Sequence, residues 1–243
     1  MANLNSLTDP VDQGNNVSRR LRLARSEYEK KRLYLGAKRV IDFIVSLGLL
    51  ILLAPVMFII AILIKLDSPG PTVFTQERMG YDWRYGKLRT FTFCKFRSMV
   101  RNADQSIHQQ HVRRWVQSGG SPNGNSLVKL TNDNRITGIG HMLRRSSLDE
   151  IPQLWNVLKG DMTLVGPRPV PLYEIAEYEP WHKARLKATP GITGLWQIRG
   201  RGQVSVDEMV RLDLEYLENQ SILLDFKIMF LTIPAVLTRR GAA

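Results

Sequence analysis

The sequence predicts an α+β protein, mainly helical with a few short strands, tied to a lipid bilayer by one apolar segment. Three observations predict it. Phe43 to Ile64 has Ser46 as its one strongly polar side chain. Leu88 to Met99 alternates with period two, whereas later segments repeat apolar residues at three and four. The formal charge is +12, from 34 Lys and Arg against 22 Asp and Glu, and the pI is near 10.1. That balance suits an anionic partner: nucleic acid, acidic lipid or a phosphorylated ligand.

Residues 1–37 form a polar, basic N-terminal arm. They do not read as a signal peptide, because the apolar run starts too late and lacks a small-residue cleavage site. Between Ser18 and Arg39, many Arg and Lys side chains interleave with Leu21, Leu23, Tyr28, Leu33, Tyr34 and Leu35. That pattern fits a helix lying on an anionic membrane surface, or a solvated basic arm.

Residues 38–66 hold the membrane segment. As a straight helix, Phe43 to Ile64 would measure roughly 33 Å, enough to cross a bilayer core. Two features oppose a simple span. Pro55 sits mid-run and should bend or break the helix at Ala54-Pro55. Both flanks are basic, although positive charge marks only the cytoplasmic side. A segment that dips in and returns satisfies both features; the residues alone leave both readings open.

Residues 67–243 form the water-facing domain. Asp67-Ser-Pro-Gly-Pro71 is a turn, and Thr72 to Gln76 and Leu88 to Met99 read as strands. Alternation puts Phe91, Phe93, Lys95 and Arg97 on one face. Helices are expected at Asn102 to Gln117, Ile151 to Lys159, Leu172 to Lys187 and Val206 to Asn219, with a flexible loop at Ser118 to Ser126. Phe226 to Leu237 is apolar but too short to span, so it reads as core or as an interfacial helix. Cys94, the one cysteine, reads as small filling. The four histidines show no metal-ligand spacing and read as surface residues; Trp155 and Trp196 read as core or interface aromatics.

Chemistry concentrates at Arg144-Arg-Ser-Ser-Leu-Asp-Glu-Ile-Pro-Gln153. Asp149 and Glu150 precede a helix that Pro152 helps to start, and Ser147 and Glu150 have capping-box spacing. Arginines keep the pair company: Arg144 and Arg145 upstream, Arg168 in Gly166-Pro-Arg-Pro169, and Arg201 in Gly200-Arg-Gly202. Such a cluster suits a pyrophosphate. One carboxylate could attack phosphorus, and the other could hold Mg²⁺ whose remaining ligands come from phosphates.

These stretches resemble the bacterial sugar transferase family, the monotopic polyprenyl-phosphate phosphoglycosyl transferases. The matching segments are Lys38 to Lys65 with its Ala54-Pro55 break, Asp67 to Pro71, Lys95-Phe-Arg-Ser-Met99, Ser147 to Asp161, Leu164 to Pro169, Pro190 to Gln197 and Gly200-Arg201. They run in family order from about residue 38 to the end. The resemblance implies one re-entrant helix-break-helix anchoring a small catalytic domain at the cytoplasmic face of the bacterial inner membrane. It implies that Asp149 takes the sugar phosphate from a UDP-sugar and that undecaprenyl phosphate then receives it. It implies Mg²⁺ on Glu150, phosphate contacts from Lys95, Arg97, Arg145, Arg168 and Arg201, and accessory acids at Asp213 and Asp225. Leu195-Trp-Gln197 resembles exopolysaccharide initiators that use glucose or galactose. Larger members carry extra membrane helices upstream, so a chain with only a polar arm reads as a compact form; a homo-oligomer is compatible with it.

Two other classes compete. A nucleic-acid binder fits the pI but not the apolar run, and no nucleic-acid motif is present. A non-catalytic basic scaffold on anionic lipid fits the arm but leaves the Asp-Glu pair without a task. A direct-displacement glycosyltransferase usually shows Asp-x-Asp; Asp213-Leu-Glu215 is the nearest approach.

Overall fold

The structure, a computed structural model, describes residues 10–117, 133–200 and 204–237. The expected loop at Ser118 to Ser126 and the candidate Arg201 lie outside the described residues. The chain forms two compact units, residues 1–40 and 41–243. In the first, the basic arm is helical from Pro10, and Lys38 Nζ stands 6.0 Å from the centre of the Tyr34 ring.

Helix α1 is assigned over Pro10–Asp67 and carries Pro55 inside it. The helix therefore is not interrupted at Ala54-Pro55, where a break was expected. Proline removes one backbone hydrogen bond, and a helix can absorb that loss while keeping helical backbone on both sides. Lys31–Asp67 is long and apolar enough to cross a membrane.

Within the second unit, α1 has two faces. Asp42, Ser46, Ile60 and Ile64 are buried, with Val45, Leu49, Leu50 and Leu53 packed on the main core between them. Ile44, Ile51, Leu52, Phe58, Ile59 and Leu66 point outward and are 57–80% exposed. The inward residues recur at three and four, as one helix stripe must.

Strands β1 (Val73–Asp82) and β2 (Lys87–Phe96) form an antiparallel hairpin in register from Val73↔Phe96 to Asp82↔Lys87. The hairpin is longer than the alternation in Thr72 to Gln76 suggested. A two-residue strand β4 (Val170–Pro171) pairs antiparallel with β1. Strands β3 (Thr163–Val165) and β5 (Gly191–Thr193) pair in parallel, and a side chain on Gly191 would strike the Gly166 backbone.

Helices α2 (Ser106–Gln117), α3 (Gly138–Ser146), α4 (Gln153–Lys159), α5 (Leu172–Ile175), α6 (Leu195–Arg199), α7 (Val206–Glu218) and α8 (Ile222–Leu237) complete the described fold. The single helix expected over Leu172 to Lys187 is instead α5 and a 3₁₀ segment at His182–Leu186. Pro180 lies between them, and the residue before a proline resists helical backbone.

The core joins β2, α4, β3, α6, α7 and α8 through Phe91, Phe93, Val157, Met162, Val165, Leu195, Tyr216 and Ile228. Buried Asn156 on α4 accepts from Cys94 N at 3.0 Å and donates to Thr92 O at 2.7 Å, satisfying the free edge of β2. Cys94 is partly buried, and burial pushes its thiol up. Helix α8 packs one side of the last apolar run on the core. Asp225 and Ile228 face the core, whereas Leu223, Phe226 and Phe230 are 81%, 50% and 75% exposed.

Candidate active site

The Asp-Glu pair sits on a 3₁₀ turn, Leu148–Glu150, between α3 and α4. Ser147 enters it with φ 57° and ψ 17°, in the left-handed region, and makes no side-chain cap. The expected capping box does not form. Left-handed backbone at a serine carries strain, which is common where a fold re-aims functional side chains. Helix α4 begins only at Gln153, with Pro152 as its cap. Asp149 is buried and Glu150 partly so.

Cations from separate elements converge on the pair. Lys95 comes from β2, and its ammonium stands 5.5 Å from the centre of the Phe74 ring, its cross-strand partner. Burial pulls Lys95 down to about 8, against the opposing pull of Asp149. Arg144, on α3, donates Nε–H to Ser98 Oγ at 3.1 Å. Its guanidinium is held below its ordinary value by burial, with Asp149 the chief charge favouring its protonated form. Arg78, on β1, lies 3.9 Å over the Phe93 ring and donates to Pro169 O at 2.7 Å. That bond ties β1 to the loop carrying Arg168. Burial, and then Arg168, lower Arg78 to about 9.

Glu150 is pushed up to about 7, by burial first and by Asp149 second. Arg168, Lys95 and Arg78 pull it the other way. Two adjacent carboxylates in a half-dry cationic cleft cannot both ionise freely. Nη1 of Arg168 is buried with no hydrogen-bond partner among the described residues. A buried guanidinium N–H without an acceptor costs free energy, so it marks a place that suits an anionic oxygen.

The four expected phosphate ligands among the described residues fare differently. Lys95 and Arg168 join the acids. Arg97 does not: it donates to Ile64 O, Ser68 O, Ser68 Oγ and Pro69 O at 2.6–3.2 Å, closing the end of α1. Gly70, at φ +128°, is needed there, because a Cβ would strike the guanidinium. Arg145 is exposed, and its neighbour Arg144 takes the site-facing position. One residue is a 100° step around a helix, so adjacent arginines cannot share a face.

Asp213 and Asp225 are both buried and tied to partners within the fold. Asp213 pairs with Arg185 at 2.6 Å, both side chains 1% exposed. Burial lifts the Asp213 carboxyl, and Arg185 opposes the lift. Arg185 Nη1 also donates to Tyr178 Oη at 2.8 Å, and Tyr178 donates to buried Glu174 at 2.6 Å. Asp225 accepts from Tyr216 at 2.7 Å, deep in the core.

Sequence reading missed Arg78. The available signal was the β1 alternation, which puts Gln76 and Arg78 across from Phe93 and Phe91. It also misread two histidines as surface residues. His182 is 2% exposed and pairs with Asp207 at 2.9 Å, and His108 Nδ1 is 2.8 Å from Tyr173 Oη. Trp196 is core, as expected, and Trp155 is 54% exposed.

Among the described residues, no three His, Cys, Asp or Glu side chains gather as a metal site. The donor set is the carboxylate pair alone. That fits a Mg²⁺ that takes few protein ligands and the rest from phosphates.

The bacterial sugar transferase family profile matches residues 33–239. A UDP-galactose-lipid carrier transferase of Erwinia amylovora is 41% identical over 84% of this chain and 41% of its own length. An exopolysaccharide production protein of Sinorhizobium fredii is 36% identical over 85% of this chain and 88% of its own. A UDP-glucose:undecaprenyl-phosphate glucose-1-phosphate transferase of Caulobacter vibrioides is 37% identical over 84% and 71%. The chain spans less than half the length of several curated relatives it matches. The extent of these matches, together with the cationic Asp-Glu turn, places the chain in the bacterial sugar transferase family.

Proposed function

We propose that this chain moves a sugar 1-phosphate, from UDP-glucose or UDP-galactose, onto undecaprenyl phosphate and releases UMP. The observation that carries the reading is the buried Asp149 beside Glu150, with Lys95, Arg78, Arg144 and the unsatisfied Arg168 drawn together from β2, β1, α3 and the loop after β3. The names of the relatives supply the substrate class: a UDP-galactose-lipid carrier transferase and a UDP-glucose:undecaprenyl-phosphate transferase.

A carboxylate oxygen of Asp149 attacks the phosphorus that bears the sugar. The new O–P bond forms as the anhydride P–O bond breaks, and UMP leaves with the bonding pair. An oxygen of undecaprenyl phosphate then attacks the same phosphorus and releases Asp149 as carboxylate. Two displacements replace one crowded encounter. Lys95, Arg78, Arg144 and Arg168 offset charge on the transferring phosphoryl oxygens. Glu150, with Asp149 adjacent, would hold Mg²⁺, which when bound neutralises diphosphate charge.

We take α1 to dip into the bilayer and return, bending at Pro55 without loss of helical backbone. Asp42, near the start of its apolar stretch, accepts from Thr163 Oγ1 and Leu164 N, while Ile60 and Ile64 near its end pack on Phe96 and Leu143. Both ends of the segment bind the same catalytic domain. A helix crossing the bilayer would carry its ends to opposite sides, roughly 30 Å apart. We place the domain on the cytoplasmic face, where both basic flanks belong.

The test is incubation with UDP-sugars and Mg²⁺, followed by mass spectrometry of the tryptic peptide holding Asp149. A phosphohexose adduct and free UMP are expected. Release of UDP, or turnover without UMP, contradicts the reading.

A further inference from the structure

The Asp-Glu turn is bracketed by apolar side chains. Leu148 and Ile151, on either side of the pair, pack in one cluster with Met57, Ile60 and Ile64 of α1 and with Leu143 of α3. The turn therefore rests on the half of the membrane segment that follows Pro55. Val56 and Ile59, the chain neighbours of Met57 and Ile60, point outward and are exposed. The contact that carries the acids so borders the lipid-facing side of α1.

Two large apolar side chains beside this contact stay uncovered. Met142 directly precedes buried Leu143 on α3 and is 45% exposed. Trp155 stands on α4, whose Leu154, Asn156 and Val157 are buried, and is itself 54% exposed. Leu154 N donates to Ile151 O and Trp155 N to Pro152 O, so the 3₁₀ turn runs straight into α4. Trp155 thus lies one turn beyond Ile151 on the same side, roughly 10 Å along the axis from Asp149.

The chemistry of the acceptor names an occupant. In a polyprenyl phosphate the phosphate is bonded directly to the first isoprene unit. An acceptor oxygen that reaches the phosphorus on Asp149 brings that unit within a few bonds of the turn. The cations there suit phosphates, so the hydrocarbon has to leave over apolar surface, towards lipid. Met142 and Trp155 supply such surface, and an indole suits a boundary between headgroups and acyl chains.

We propose that Trp155 and Met142 dock the first isoprene units of the acceptor lipid as its phosphate enters the site. This rests on the polyprenyl-phosphate reading above and deepens it.

The two half-reactions, read apart on the full chain in nanodiscs of constant composition, test the proposal. Trp155→Ala should form the Asp149 adduct from UDP-hexose at the wild-type rate, within about twofold, and raise the undecaprenyl phosphate KM about tenfold, the scale of one lost aromatic contact. Met142→Ala should raise that KM about threefold. Trp155→Phe, which keeps an aromatic face, should recover most of the loss. An unchanged acceptor KM in Trp155→Ala, or adduct formation slowed by the same factor, overturns the proposal. So does a loss of flotation with phosphatidylglycerol vesicles, which assigns the indole to bulk lipid, or a change in sedimentation mass, which assigns it to a second copy. A wild-type protein that forms no adduct with any UDP-hexose removes the reading beneath; a normal adduct with an acceptor KM indifferent to Trp155 removes this proposal alone.

Discussion

Thr163 donates its hydroxyl to Asp42 at 2.6 Å, joining β3 of the catalytic domain to the apolar segment of α1. Asp42 also accepts from Leu164 N at 3.0 Å and is 4% exposed. A carboxylate this deep in an apolar stretch is tolerable only because backbone and hydroxyl donors meet it. The bond makes the membrane element part of the domain's fold.

Asp42→Ala should therefore destabilise the whole domain, by about 2–3 kcal/mol, because it orphans two buried donors. Denaturant unfolding in detergent measures this. If the helix were an independent anchor, unfolding would not change.

Arg97 and Arg168 should separate cleanly. Arg97→Ala leaves the carbonyls of Ile64, Ser68 and Pro69 without their charged donor and should cost about 3 kcal/mol or more of stability. Arg168→Ala should leave the unfolding midpoint nearly unchanged and raise the UDP-sugar KM by ten- to a hundredfold, on the scale of a charge-assisted hydrogen bond. Thermal unfolding and donor KM, measured on both variants, check the contrast.

Much of the fold was legible in the sequence for a simple reason: long periodic segments announce themselves. Val206 to Asn219 became α7 almost to the residue, and Leu88 to Met99 became the body of β2. Strands β3, β4 and β5 are two or three residues long, too short to show a period, and they exist because tertiary pairing holds them. The site was half legible. Asp149, Glu150, Lys95 and Arg168 stand in distinctive local motifs. Arg78 does not, and its role follows from strand register. The choice between Arg144 and Arg145 depends on the rotation of α3, and Arg97 looked like a phosphate ligand until its carbonyl partners were placed.

Asp213→Asn should behave as a stability mutation. It leaves Arg185 buried without its counter-charge, at a cost of about 3–5 kcal/mol. Protein that remains folded should keep its UDP-sugar KM within about twofold, which an accessory catalytic acid would not allow. Calorimetry and kinetics at low temperature read the two effects apart.

If Lys95 contacts the donor phosphates as proposed, it should set an alkaline limit on donor binding. Its folded value is lowered to about 8, so the cation is present below that pH and is lost as pH rises through it. Donor KM should climb above about pH 8 in the wild type. Lys95→Arg should carry the limb well beyond it, since guanidinium stays charged there. A flat KM between pH 7 and roughly 9.5 would place the lysine away from the phosphates.

The most direct measurement is the mass of the Asp149 peptide after brief mixing with UDP-hexose and Mg²⁺ in the absence of polyprenyl phosphate. A phosphohexose adduct on Asp149, formed as UMP is released and absent from Asp149→Asn, is the predicted result. Full turnover by Asp149→Asn, or wild-type turnover that yields UDP, would contradict the account.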